Sequence, residues 1–173
     1  VLVIVSAIGA VVMPYARRSV EKEIPVSRIY IFYSMMLLCQ TGLMGIAITG
    51  DAFNLFVFLE ISSLSSYVLI SFGTDRRALT AAYRYLIMGT IGATFYIIGV
   101  GFMYSATGSL NIHDLSTLIP EMAGSRTVQA ALAFLTVGLG LKVALFPLHM
   151  WLPNAYTYAP SAVTVFLAAT ATK

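Results

Sequence analysis

Residues 51–73 read DAFNLFVFLEISSLSSYVLISFG, in which the 22 residues after Asp51 carry one formal charge, that of Glu60. About 20 predominantly apolar residues suffice to cross a bilayer as a helix, so this stretch reads as a membrane span with an acid inside it. The same yardstick divides the chain on both sides. Residues 1–15 form the tail of one helix, residues 29–50, 79–104 and 127–146 are further spans, and residues 161–173 begin another. Residues 17–28 form a charged connector with Arg17, Arg18, Glu21, Lys22, Glu23 and Arg28, and residues 74–77 form a short polar one. Gly50 and Asp51 mark a tight turn, because glycine accepts positive φ and aspartate caps a helix start. Residues 105–126, with His113, Asp114, Pro120 and Glu121, are too polar to span and read as an interfacial loop with a short helix.

Composition places the whole chain in the same class. Of 173 residues 59% are hydrophobic and 10% charged, and the mean hydropathy is +0.88. A soluble domain runs about 45–50% apolar and roughly 25% charged, so the fold class is all-α, a polytopic transmembrane helix bundle. The net charge of +3 comes without a basic stripe carrying interleaved aromatics, which excludes a nucleic-acid partner. Cys39 is the single cysteine and lies in an apolar run, so it is a packing residue, and disulfide frameworks and thiolate metal sites are excluded. There is no dinucleotide loop, metal-ligand set or nucleophile triad, so no cofactor and no metal are expected. The chain opens on Val1 within an apolar run that lacks the basic lead of a signal peptide, and it closes on Lys173 without a helix-exit signal. It therefore reads as a single, partial membrane domain, residues 1–173, cut from something longer.

In this division Arg17, Arg18, Lys22, Arg28, Arg76, Arg77 and Arg84 fall on one side of the membrane, against Arg126 alone on the other. Cytoplasmic loops carry the Lys/Arg excess, so the first side faces the cytoplasm (or matrix). The expected location is the cell's inner (plasma) membrane, with multiple passes.

Three ionisable residues, Glu60, Lys142 and Lys173, stand inside apolar runs, where each costs roughly 2.5–3.5 kcal/mol or more at mid-bilayer. Counted from the outer side at about 1.5 Å per residue, Glu60 lies about 12 Å down its helix and Lys142 about 22 Å down its own. A lysine stem spans several ångströms, so the two heads can meet if their helices are neighbours. A static pair or a snorkelling charge explains one such residue near a helix end; an acid and two bases at depth mark an ion or proton pathway. Ser63 and Tyr67 share the Glu60 face at i+3 and i+7, and Ser62, Ser65 and Ser66 widen it, although serines serve equally as small packing residues.

The run LKVALFPLHMWLP, residues 141–153, holds the second signal. Pro147 removes a backbone hydrogen bond and Pro153 follows too soon for a normal helix to recover. Freed backbone at membrane depth is tolerated only beside protein or water, and broken helices recur at transport sites. His149 thus stands where water is expected and is a relay candidate as well as a structural one. Trp151 reads as an interfacial anchor. Gly89, Gly92, Gly99 and Gly101 read as close-packing positions, and His113 with Asp114 as surface.

DAFNLFVFLEISSLSSYVLISFGTDRRALTAAYRYLIMGTIGATFY, residues 51–96, and LGLKVALFPLHMWLPNAYTYAPSAVTVFLAATATK, residues 139–173, resemble the antiporter-like subunits shared by respiratory complex I and the multisubunit Mrp-type cation/proton antiporters. That resemblance implies about fourteen transmembrane helices with two inverted five-helix repeats, this chain corresponding to the end of the third helix through the start of the eighth, the first proton half-channel region. It implies that Glu60 matches the glutamate of the fifth helix, Lys142 the lysine at the seventh-helix break, Lys173 the eighth-helix lysine of the central polar axis, and His149 the histidine of the PxHxWLP stretch. Asn154 and Tyr156 depart from the Asp and His of many relatives. The wording of NLFVFLE and DRRALTAAYRYL is closer to the D-type component of the Mrp antiporters than to complex I.

The expected function is therefore proton translocation, with Na+ a second candidate ion, by a Glu60, Lys142, His149 and Lys173 relay in the D-type component of an Mrp cation/proton antiporter. A proton-pumping membrane subunit of NADH-quinone oxidoreductase or of a related membrane-bound hydrogenase is the alternative. The expected partners are other membrane subunits, the translocated ion and the lipid bilayer, and any redox chemistry belongs to those partner subunits. Burial lowers a lysine's pKa and a nearby carboxylate raises it, so moving an acid relative to a buried lysine switches proton holding to release. A passive scaffold gains nothing from such charges.

Overall fold

Charged residues at the end of an apolar helix can continue it, helped by partners one turn along. In the computed structural model, which describes residues 1–170, Arg17 donates to Glu21 at 3.2 Å and Ser19 donates to Glu23 at 2.7 Å, both one turn apart. The first helix, α1 (Leu2–Glu23), therefore runs through most of the expected connector. It stops where Ile24 precedes Pro25 and takes the extended values φ −121, ψ 134, since a residue before proline is driven out of the helical region. Glu23 then does more than end α1. Its carboxylate accepts from the Ser161 backbone N–H at 3.1 Å and from the Ser161 hydroxyl at 2.9 Å, capping the start of α8 (Ser161–Thr170) with charge of the sign that a helix N-terminus attracts.

A 3-10 turn (Val26–Arg28) leads into α2 (Ile29–Ile48), followed by α3 (Ala52–Ser71), α4 (Arg77–Thr107), α5 (Ile112–Glu121), α6 (Arg126–Lys142) and α7 (Leu152–Tyr158). No strand occurs among the described residues. Among the described residues, four helices are long and apolar enough to cross a membrane: α1, α2 with its leading turn, α3 and α4. Neighbouring helices pack in a chain of contacts, α8 on α1, α1 on α2, α2 on α3, α3 on α4, and α4 on both α6 and α7.

The link between α2 and α3 differs from the tight turn expected of it. Gly50 does not take positive φ; Gly108, with φ 71, is the described glycine that does, and it caps α4. Thr49 and Asp51 are extended instead. The link pairs with the segment before α5, through Ala52 N–H to the Leu110 carbonyl at 2.9 Å and Ile112 N–H to the Gly50 carbonyl at 2.8 Å. Asp51 caps α3 as its position predicts, accepting from Asn54 N–H at 2.8 Å. His113 and Asp114 are exposed on α5.

Helix α4 earns its central place through small residues. A side chain at Gly138 of α6 would meet the Tyr96 nitrogen at 2.7 Å and the Gly92 carbonyl at 2.8 Å, and one at Gly99 would meet Leu135 at 2.7 Å. One at Gly89 would overlap the Tyr67 hydroxyl of α3. Gly101, expected among these close-packing positions, faces open space. Helices approach closely where both surfaces are small, and α4 thereby holds α3 on one side and α6 on the other.

A buried ion pair at a broken helix

Helix α6 ends at Lys142, four residues before the expected Phe146 and five before Pro147. The following Val143 has φ −88, ψ 6, and Ala144 has φ 54, left-handed backbone that a residue with a Cβ adopts only under constraint. The Leu145 N–H reaches back to the Gly140 carbonyl at 2.9 Å instead of the Leu141 carbonyl that a continuing helix would offer it. Pro147 thus lies in the middle of the break.

The freed carbonyl finds a different donor. The Trp151 indole N–H donates to the Leu141 carbonyl at 3.1 Å. Trp151 is 5% exposed and its ring stacks on Tyr85 of α4, with centroids 4.0 Å apart and planes at 2°. The interfacial anchor expected of Trp151 is therefore wrong. A proline-broken backbone needs donors in its interior, and the indole has one.

At this break the Lys142 ammonium turns toward α3. It donates to Glu60 Oε1 at 2.7 Å and to the Ser63 hydroxyl at 2.9 Å. The lysine side chain is 7% exposed and the glutamate 23%. Glu60 and Ser63 stand one turn apart on a single face of α3, so both reach the same ammonium. The third ammonium proton remains for the adjoining cavity of about 80 Å³, which Lys142 lines with Ser62, Ser63, Ser66 and Tyr85 among others. A space of that size with hydroxyls on its wall is roomy and polar enough for water.

The other serines divide between the two roles open to them. Ser62, Ser65 and Ser66 return their hydroxyls to carbonyls of their own helix, those of Leu59, Ile61 and Ser62, and Ser63 alone of the four bonds to the charge. Cys39 is fully buried, 3.3 Å from the Ser66 hydroxyl, as a packing residue should be.

His149 lies in the segment between α6 and α7, half-buried, its ring 5.6 Å from Phe146. Its Nδ1 is buried without a partner among the described residues, and no hydrogen bond joins it to Lys142 or Glu60. Lys173 lies outside the described residues. Of the four sequence-predicted site residues, the structure brings together Glu60 and Lys142 and adds Ser63 to them. Tyr85 and Trp151 support this site without having been legible as a pair, because no spacing rule links a residue in mid-α4 with one beyond the break.

Comparison with known proteins gives this geometry its context. Residues 49–173 match the family described as NADH:quinone oxidoreductase/Mrp antiporter, TM. The chain is 50% identical over 99% of its length to the NADH-quinone oxidoreductase subunit N of Desulforudis audaxviator, covering 34% of that protein. It is 35% identical, again over 99% of its length, to the D component of the Na(+)/H(+) antiporter of Bacillus subtilis, covering 34% of it. A chain of the archaeal membrane-bound sulfane sulfur reductase, a respiratory membrane complex, superposes with a TM-score of 0.86 at 37% identity, over 96% of this chain and 34% of that one. The chain thus spans about a third of the length of the relatives it matches.

Proposed function

This chain belongs to the NADH:quinone oxidoreductase/Mrp antiporter transmembrane family, and on that premise we propose that it carries a proton half-channel in which Lys142 takes up and releases the translocated proton under the control of Glu60. One observation carries the reading: the buried Lys142 ammonium sits 2.7 Å from the Glu60 carboxylate at the point where α6 breaks. In a low-dielectric interior an ammonium is held by the carboxylate beside it, and at an effective dielectric of 20 a pair about 4 Å apart gains about 4 kcal/mol, half of that when the separation doubles. Withdrawing the carboxylate, or the lysine, from this contact therefore favours proton release. In this reading the cavity of about 80 Å³ beside the ammonium gives water room to receive the proton. His149, with its unpartnered Nδ1, and Lys173 are the next stations of the relay.

In this reading residues 1–173 are the part of an approximately fourteen-helix subunit that runs from its third helix to its eighth. The subunit works beside other membrane subunits in a multisubunit complex of the cell's inner (plasma) membrane. Identity of 50% to the NADH-quinone oxidoreductase relative against 35% to the Na(+)/H(+) antiporter relative favours a complex of the oxidoreductase type over the Mrp antiporter that local wording favours. Redox chemistry then resides in the partners, and the proton is the ion moved here; Na+ transport is the corresponding reading for an Mrp antiporter.

The test is proton uptake by vesicles containing the complete complex with Lys142→Ala in the full-length subunit. Loss of uptake with assembly intact supports the reading, and retained uptake overturns it.

A further inference from the structure

Trp151 does two things at once that a filler of the break would not do together. Its N–H bonds to the Leu141 carbonyl at 3.1 Å, one residue from Lys142. Its ring lies flat on Tyr85 at 4.0 Å, and Tyr85 both lines the cavity beside Lys142 and meets Tyr67 edge-on at 4.6 Å. Tyr67 in turn lies on the Glu60 face of α3, its hydroxyl against Gly89 of α4. An aromatic row therefore runs from the helix carrying the acid, across α4, to the carbonyl adjoining the lysine.

The Leu141 carbonyl has little else to hold it. Its backbone contact from the Ala144 N–H is 3.4 Å, at the long end for such a bond, and Leu141 itself is 4% exposed, so water is no substitute. We propose that Trp151 is a positioning residue: by tying the last turn of α6 to the Tyr85 ring, it sets where the Lys142 ammonium stands relative to Glu60. This rests on the relay reading above and adds the element that fixes the distance on which that reading depends. Among the described residues, the titratable groups that touch Lys142 or the side chains lining its cavity include Glu60 and Tyr67 from α3, Tyr85 from α4, Tyr156 from α7 beside Tyr85, and Cys39 from α2 by way of Ser66. Among them Glu60 alone is in direct contact with the ammonium, so a displaced lysine loses chiefly Glu60.

The experiment replaces Trp151 in the full-length subunit of the assembled complex by 3-benzothienylalanine, which keeps the ring and the stack but has no N–H, and separately by phenylalanine and leucine. Proton uptake by reconstituted vesicles is measured across pH. The expected result for the benzothienyl and Phe variants is uptake at least about threefold lower, with the alkaline limb of the pH profile at lower pH, because an ammonium farther from its carboxylate holds its proton less strongly. Trp151→Leu, which also loses the stack, falls further. Wild-type rate and profile in the benzothienyl variant overturn the inference. So does a lower rate with an unmoved profile, the mark of a merely structural residue. Lys142→Ala run in parallel separates the two claims: if it still takes up protons the relay reading fails, and if it is inactive while the Trp151 series matches wild type, only the positioning role fails.

Discussion

Lys142 at the end of α6 and Glu60 in the middle of α3 are joined at 2.7 Å although α4 is the helix that packs against both. The contact is made by the long lysine side chain, and α4 brings the two helices together, with Gly89 against Tyr67 of α3 and Gly92 against Leu141 and Gly138 of α6. Removing one partner leaves the other charge in a half-buried setting without its counter-charge, so the two residues are expected to behave as a unit.

Lys142→Arg separates charge from proton release. Arginine keeps the cation and hardly ever gives up its proton, so the relay reading predicts vesicle uptake as low as in Lys142→Ala. If the pair only holds helices together, the Arg variant will work nearly as well as wild type.

Glu60→Gln keeps shape and hydrogen bonding to Lys142 while removing the charge. Uptake should fall severely, by an order of magnitude or more, with the complex still assembling on native gels. Glu60→Asp should keep part of the rate, since the charge survives on a shorter stem; near-normal uptake by Glu60→Gln would reduce the residue to packing.

Ser63→Ala deletes the 2.9 Å bond to the ammonium but leaves the ion pair. A hydrogen bond to a charged group is worth about 1.5–3 kcal/mol, so thermal stability in detergent should drop modestly and uptake should fall several-fold, less than for Glu60→Gln. An effect on uptake equal to that of Glu60→Gln would show that the serine is the stronger partner.

Gly138→Ala places a methyl 2.7 Å from the Tyr96 nitrogen and 2.8 Å from the Gly92 carbonyl. Backbone cannot step aside, so α4 and α6 must separate, at a cost of about 1–3 kcal/mol that a thermal-shift measurement will register. Gly101→Ala, facing open space, should leave the melting temperature unchanged or raise it, since alanine favours a helix more than glycine, and equal downward shifts for both would discredit the packing account.

Orientation follows from the seven-to-one basic asymmetry. In a cysteine-depleted full chain that includes Cys39→Ala, a cysteine at Arg76 should be labelled by an impermeant reagent only from the cytoplasmic side, and one at Asn111 only from the other. Reversed labelling would invert the topology.

Much of this molecule is local and was readable as such. Span length, the Asp51 cap, the short α5 helix and the presence of a break beyond Lys142 all follow from hydropathy, capping chemistry and proline, which act over a few residues. The boundaries that failed depended on partners distant in the chain or one turn away: α1 persisted to Glu23 because Glu21 and Glu23 found Arg17 and Ser19, with Ser161 as a second use for the carboxylate. Sequence marked Glu60 and Lys142 as separately expensive residues, since a charge in an apolar run is costly wherever its helix goes. Only the tertiary structure decided that they are one site, because their meeting depends on α4 packing against α3 at Gly89 and against α6 at Gly92 and Gly99. The same holds for Trp151, whose rank as anchor or core was set by whether a freed carbonyl and a tyrosine ring lay within reach.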